Sequence, residues 1–305
     1  MSAKKDRNDM AQAEQAIFRD TAIMRRVTRL IAAQPATDGA GVRMKRLQGV
    51  PDLRSFDPFL MLDEFKSDDP SAYIGGFPDH PHRGFETVTY LLAGRLRHSD
   101  NHGHSGLLGP GGVQWMTAGR GIVHSEMPEQ EDGLLWGFQL WLNLPAKEKM
   151  IEAGYRDISA AEIPTVELAA GVRGKLIAGS FVGISGPGRA AGTEQTAPIY
   201  LDLQLDPGAA VTLPLPSGHA GFVYTYDGGV VVGPASEATN VDAGRLAALS
   251  DGDAVTIIAD AASGARLLLL AGQPLAEPIA HYGPFVMNTE AEIHRAVEDY
   301  RAGRF

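Results

Sequence analysis

From about residue 40 onward, short apolar segments alternate with clusters of Gly, Pro, Asp and Asn. "FETVTYLLAGRLRHS", "GGVQWMTAG", "GFQLWLNL", "APIYLDLQLDPG", "HAGFVYTYDGGVVVG" and "DAVTIIADAASGARLLLLAG" are examples. Turn residues recur every ten or so positions, which leaves room for a strand and too little for most helices. That spacing predicts an all-β sandwich or barrel, and the 36 glycines and 19 prolines suit its many tight turns.

The pattern occurs twice. In the first half a strand leads to "AGRLRHSD" and then "LGPGGVQWMTAG"; in the second, "GFVYTYDGGVVVG" leads to "LSDGDAVTIIADA". Each half pairs a Gly-turn hairpin with a later turn feeding another strand, as two barrels in tandem would. The expected organisation is a polar N-terminal extension over 1–26, frayed or disordered, and a first barrel over 27–150. A connector over 151–195 and a second barrel over 196–305 follow. "PAKEKMIEAGYRDISAAEIP" (145–164) reads as a short helix or long connection, and the Gly-rich 183–196 stretch as a linker. At the C-terminus, Thr289 with Glu292 forms a capping box, and Ile293, Ala296, Val297 and Tyr300 follow helical spacing. A terminal helix packed on a barrel is expected there, with His294 at its surface.

The chain has no cysteine, which excludes disulfides, thiolate nucleophiles and thiolate metal sites. Any metal must be held by nitrogen and oxygen. A net charge of −10 disfavours direct nucleic-acid binding. "RVTRL" and "RMKRL" are the only basic hints and read as solvated faces. No apolar run approaches the ~20 residues of a membrane span. The polar N-terminus lacks the apolar centre of a secretory signal, so the cytoplasm is the expected location.

Two clusters stand out against this background. "HPHRGFE" (80–86) carries His80 and His82, which on a strand would point to one side. "AGRGIVHSEMP" (118–128) carries His124 and Glu126 in the same relation. Three imidazoles and a carboxylate from two strands suit a six-coordinate ion with positions left open. Iron, nickel, cobalt, manganese and copper all accept such donors. An open site implies catalysis or sensing rather than a structural role. The alternative is a chance H-x-H in a loop. A rival pair, His102 and His104 in "HSDNHGHSG", sits among loop residues with no second cluster to complete it. Trp115, Met116, Phe59 and Met61 are candidates for a pocket wall or simply for core.

These segments resemble the two-part cupin signature. The wording "DHPHRGFETVTYLLAGRLRHSD", "QWMTAGRGIVHSEMP" and "YGPFVMNTEAEI" is similar to the pirin family from about residue 40 to the end. The resemblance implies a bicupin, two tandem antiparallel, jelly-roll-like β-barrels with a C-terminal helix. It implies one metal ion, usually iron, held in the N-terminal barrel by His80, His82, His124 and Glu126. The second barrel would be metal-free, in keeping with its isolated His219, His281 and His294. Glu86 would lie behind the ligands, orienting an imidazole or water, and Arg120 or Arg83 would meet an anionic substrate or pair with an acid. The implied activity is a quercetin 2,3-dioxygenase, cleaving a flavonol with O2 and releasing carbon monoxide, with Glu126 taking the substrate proton. The same resemblance admits a non-enzymatic, metal- or redox-sensing partner of regulatory or metabolic proteins. A different cupin enzyme with the same ligands is a third reading.

Overall fold

The computed structural model describes residues 22–48, 56–181, 183–188 and 193–305. Most of the expected 1–26 extension lies outside these residues. Two β-barrels follow one another along the chain, each built of antiparallel strands. The larger sheet of the first runs Gly154–Ile158, Val113–Thr117, Phe85–Ala93, Leu135–Asn143, Phe59–Ser67, Val42–Gln48, Gln34–Asp38. A four-stranded sheet closes it, in the order Phe77–His82, Ile122–Pro128, Leu96–Asp100, Ser105–Leu108.

Strand alternation gives each sheet two faces with different fates. One face of the first sheet carries Val88, Tyr90, Trp115 and Phe138, which join Tyr200, Phe222, Tyr224 and Leu268 in a core between the barrels. Tyr90 and Tyr226 both donate to Asp202, and Tyr224 and Trp136 to Glu64, so that core is also cross-linked by buried hydrogen bonds.

The other face differs between the two barrels. In the first, register places Arg46, Asp63, Gln139, Thr89, Gln114 and Asp157 side by side across six strands. The equivalent row in the second barrel is Ala247, Val223, Leu269, Leu201 and Leu176. Its interior is closed by these and other aliphatic side chains. An aliphatic interior has nothing to offer a cation; a polar one costs stability unless its groups find partners.

The ends of the chain cross between barrels. Val27–Ala32, expected to open the first barrel, hydrogen-bonds Arg245–Leu249 of the second. Arg25, expected in a solvated extension, is buried there, donating to the carbonyls of Gly252, His219 and Pro216. Reciprocally, the Ala280–Tyr282/Phe285–Met287 hairpin and the Glu290–Arg301 helix lie on the first barrel. The helix begins with the expected Thr289–Glu292 capping box, and His294 on it is exposed. The expected 151–195 connector instead contributes Gly154–Ile158 to the first sheet and Thr165–Ala169 and Val172–Ala178 to the second. Isolated hydrophobic patterning cannot say which sheet a strand joins.

Candidate metal centre

His80 and His82 lie on one strand, and His124 lies opposite His80 on its antiparallel neighbour. Each imidazole offers a ring nitrogen within 4.8 Å of the other two. Ring centroids are 4.7 Å apart for His80–His82, 4.4 Å for His80–His124 and 5.1 Å for His82–His124.

His82 and His124 are buried, and neither ring nitrogen of either has a hydrogen-bond partner among the described residues. Burial holds both imidazoles well below the usual histidine pKa. The neighbouring His80 adds to this at His82, and His82 and His80 add to it at His124. The Pro284 carbonyl approaches His82 without meeting hydrogen-bond geometry and offsets little of the shift. Both rings are therefore neutral. His80 Nδ1 lies 2.8 Å from the Pro78 carbonyl, which can only accept. Nδ1 is thereby the donor in this contact, and Nε2 is the nitrogen left to face a metal. A buried imidazole without a partner costs about 1–3 kcal/mol. Three converging lone pairs give that cost a purpose, and a divalent metal fits them.

Glu126 follows on the same strand, past a bulge between His124 and Glu126. Its buried carboxylate accepts from Thr89 Oγ1 at 2.9 Å and Gln139 Nε2 at 3.1 Å, and it lies outside the 4.8 Å group. Thr89 and Gln139 both belong to the polar row.

Glu86 does not back the ligands. The strand carrying His82 ends there, and Gly84 turns the chain at φ +89°, with the Val286 carbonyl occupying the place of a Cβ. Glu86 then shares a face with Val88 and Tyr90, toward the second barrel. Its carboxyl accepts from Thr117 Oγ1 at 2.7 Å and Trp115 Nε1 at 3.2 Å. Burial, with help from Glu148, pushes its pKa up to about 8. Arg120 is exposed at the surface beside Glu152. Arg83 is buried and bonds Asp299 of the terminal helix at 2.8 Å. His104 is exposed and bonds Asp100, and His102 is exposed beside it.

A cavity of about 440 Å³ opens beside His80 and His82. Of the residues expected at its wall, Met61 lines it; Phe59 and Trp115 belong to the core between the barrels, and Met116 to a small buried cluster. Asp38, Arg46, Asp63, Gln139 and Trp141 line it too, as does His281 from the C-terminal hairpin. Nothing in their spacing marked them; only the cross-strand register does. Arg46 belongs to "RMKRL", where a solvated face was expected, yet it is half buried in the row. His98, also unanticipated, is buried and bonds Asp157 at 2.9 Å.

Two tandem barrels, with the ligand cluster in the first and an aliphatic interior in the second, define a bicupin. Family models for Pirin and for the Pirin C-terminal cupin domain match residues 41–142 and 200–305. The chain belongs to the pirin family. It is 52% identical over 285 residues to a Pseudomonas aeruginosa protein named "Putative quercetin 2,3-dioxygenase", covering 92% of this chain and 97% of that one. It is 43% identical to human Pirin, covering 91% of this chain and 92% of the relative. The crystal structure of a quercetin 2,3-dioxygenase from Acinetobacter baumannii superposes with a TM-score of 0.85 at 34% identity, covering 93% of this chain and 99% of that one.

Proposed function

We propose that the chain is a metal-dependent dioxygenase that opens flavonols of the quercetin type with O2 and releases carbon monoxide. The observation that carries this is the convergence of His80, His82 and His124, the latter two buried and unpartnered among the described residues, beside a cavity large enough for such a substrate. The names of the P. aeruginosa relative and the A. baumannii structure support it.

His80, His82 and His124 would hold the metal, with Glu126, on the strand of His124, as the proposed fourth ligand. Iron(II) is the proposed ion, since imidazole and carboxylate donors with open positions suit it. When bound, the ion would supply Lewis-acid chemistry that lowers the pKa of a substrate hydroxyl. Glu126 is the proposed acceptor of that hydroxyl's proton. Thr89 and Gln139 hold the carboxylate from both oxygens, so a proton placed there stays in a fixed position. Trp141 lies against His82, with ring centroids 5.4 Å apart, and gives an aromatic substrate a flat surface beside the ligands. His281, Gly283 and Pro284 of the C-terminal hairpin line one side of the cavity.

The test is carbon monoxide release and loss of flavonol absorbance in air, after separate loading with Fe(II), Ni(II), Co(II), Mn(II) and Cu(II). His124→Ala should lose most of its metal by elemental analysis and all metal-dependent CO while keeping its β circular-dichroism spectrum. A fully loaded wild-type site that yields no CO with any of the metals overturns the dioxygenase reading.

A further inference from the structure

One wall of the cavity is an ion triad built from sheet register. Arg46 stands opposite Asp63 on the adjacent strand. Its Nε and Nη2 donate to both Asp63 oxygens at 2.7–3.1 Å, and Nη2 also reaches Asp38 Oδ2 at 2.7 Å. Burial raises the Asp63 pKa against the pull of Arg46, whose Nε and Nη2 hold both of its oxygens as a carboxylate would be held; two carboxylates against one guanidinium make this wall net negative. Arg46 Nη1 has no partner among the described residues, and Asp38 is half exposed, with its other oxygen accepting only the Gly39 N–H. Carboxylate oxygens accept more than one hydrogen bond each, so Asp38 retains acceptor capacity toward the cavity. Burial raises the Asp38 pKa, but Arg46, the Gly39 N–H and His80 outweigh it and hold the group ionised. Met61 and Trp141, two residues along the same strands from Asp63 and Gln139, give the adjoining stretch of the same wall an apolar surface.

We propose that the Asp38–Arg46–Asp63 wall is the specificity element of the site: it selects aromatic substrates carrying free adjacent hydroxyls at the end remote from the metal-facing group, and rejects those carrying an anionic group there. The proposal rests on the flavonol reading and sharpens it. A pair of adjacent phenolic hydroxyls can donate to Asp38 and accept from Arg46 Nη1 at once. A sulfate or carboxylate meets a guanidinium already shared between two carboxylates, and uncompensated like charge beside it.

The experiment uses tryptophan fluorescence titration of the full chain, metal-free and metal-loaded, with CO release followed in parallel. The probes are quercetin, galangin (which lacks hydroxyls on the pendant ring) and quercetin 3′-sulfate. Quercetin is expected to bind about tenfold more tightly than galangin, the scale of a hydrogen bond to a charged group, and the sulfate more weakly than galangin. Asp38→Asn, at a half-exposed position, should reduce the quercetin preference to about twofold, leave galangin unchanged and improve the sulfate, as loss of a negative charge requires. Equal affinity for quercetin and galangin in the wild type, or tighter binding of the sulfate, overturns the proposal without reference to any variant. CO release without binding preference defeats the wall alone. A preference lost in Asp38→Asn, but no CO with any metal, defeats the dioxygenase reading and leaves the wall standing. Absence of binding by all three probes defeats both.

Discussion

His82 and Glu86 show what spacing can and cannot tell. His80 and His82, and likewise His124 and Glu126, were legible because i and i+2 share a face of one strand. Glu86 was not, because Gly84 ends that strand and the next begins with its alternation reset. The residue thus faces the second barrel as a buried acid. Glu86→Gln should retain metal, and its amide can donate to Thr117 while its oxygen accepts from Trp115, mimicking the protonated acid. The pH dependence has a definite sign. Below pH 4.5 both folded and unfolded chains carry the proton; between 4.5 and about 8 the folded chain alone keeps it, and wild-type stability falls across that window. Glu86→Gln should therefore gain on the wild type from pH 5 to pH 8, by a few kcal/mol at most, in urea unfolding. An unchanged difference at the two pH values would show Glu86 ionised in the fold.

At the scale of elements, strand texture and the terminal helix were readable, down to the capping box of Thr289 and Glu292. What the helix packs on was not, since an apolar stripe does not name its partner. It is fastened to the barrel that carries the three histidines through Arg83 and Asp299, and Phe305 lies against the Arg83 guanidinium at 4.3 Å and over the Cα of Gly121. Arg83 directly follows His82, so this fastening acts on the ligand strand. Asp299→Ala would leave a buried guanidinium without its carboxylate. The cost should be about 1–3 kcal/mol in thermal unfolding, below that of a wholly buried pair because Asp299 is near the surface. The same variant should bind metal more weakly if the helix steadies His82, and with unchanged affinity if it serves stability alone.

For the whole molecule, the duplication was legible and the exchange of ends was not. Sequence can show that two halves repeat a pattern; register alone shows that Val27–Ala32 pairs with the second half. The shared core and the tyrosine–carboxylate bonds across it make the barrels one cooperative body. A single calorimetric transition is expected for the full chain. Deletion of residues 1–33 should destabilise the second barrel, by removing both the edge strand and buried Arg25, and should split the transition in two.

The crossing of the ends also bears on how the chain is made. A ribosome extrudes Val27–Ala32 some two hundred residues before Arg245–Leu249 exists to receive it. The hairpin bearing His281 and the helix bearing Asp299 emerge after both barrels. A nascent first barrel thus holds its three histidines together while the segment that lines one wall of the cavity has still to be made.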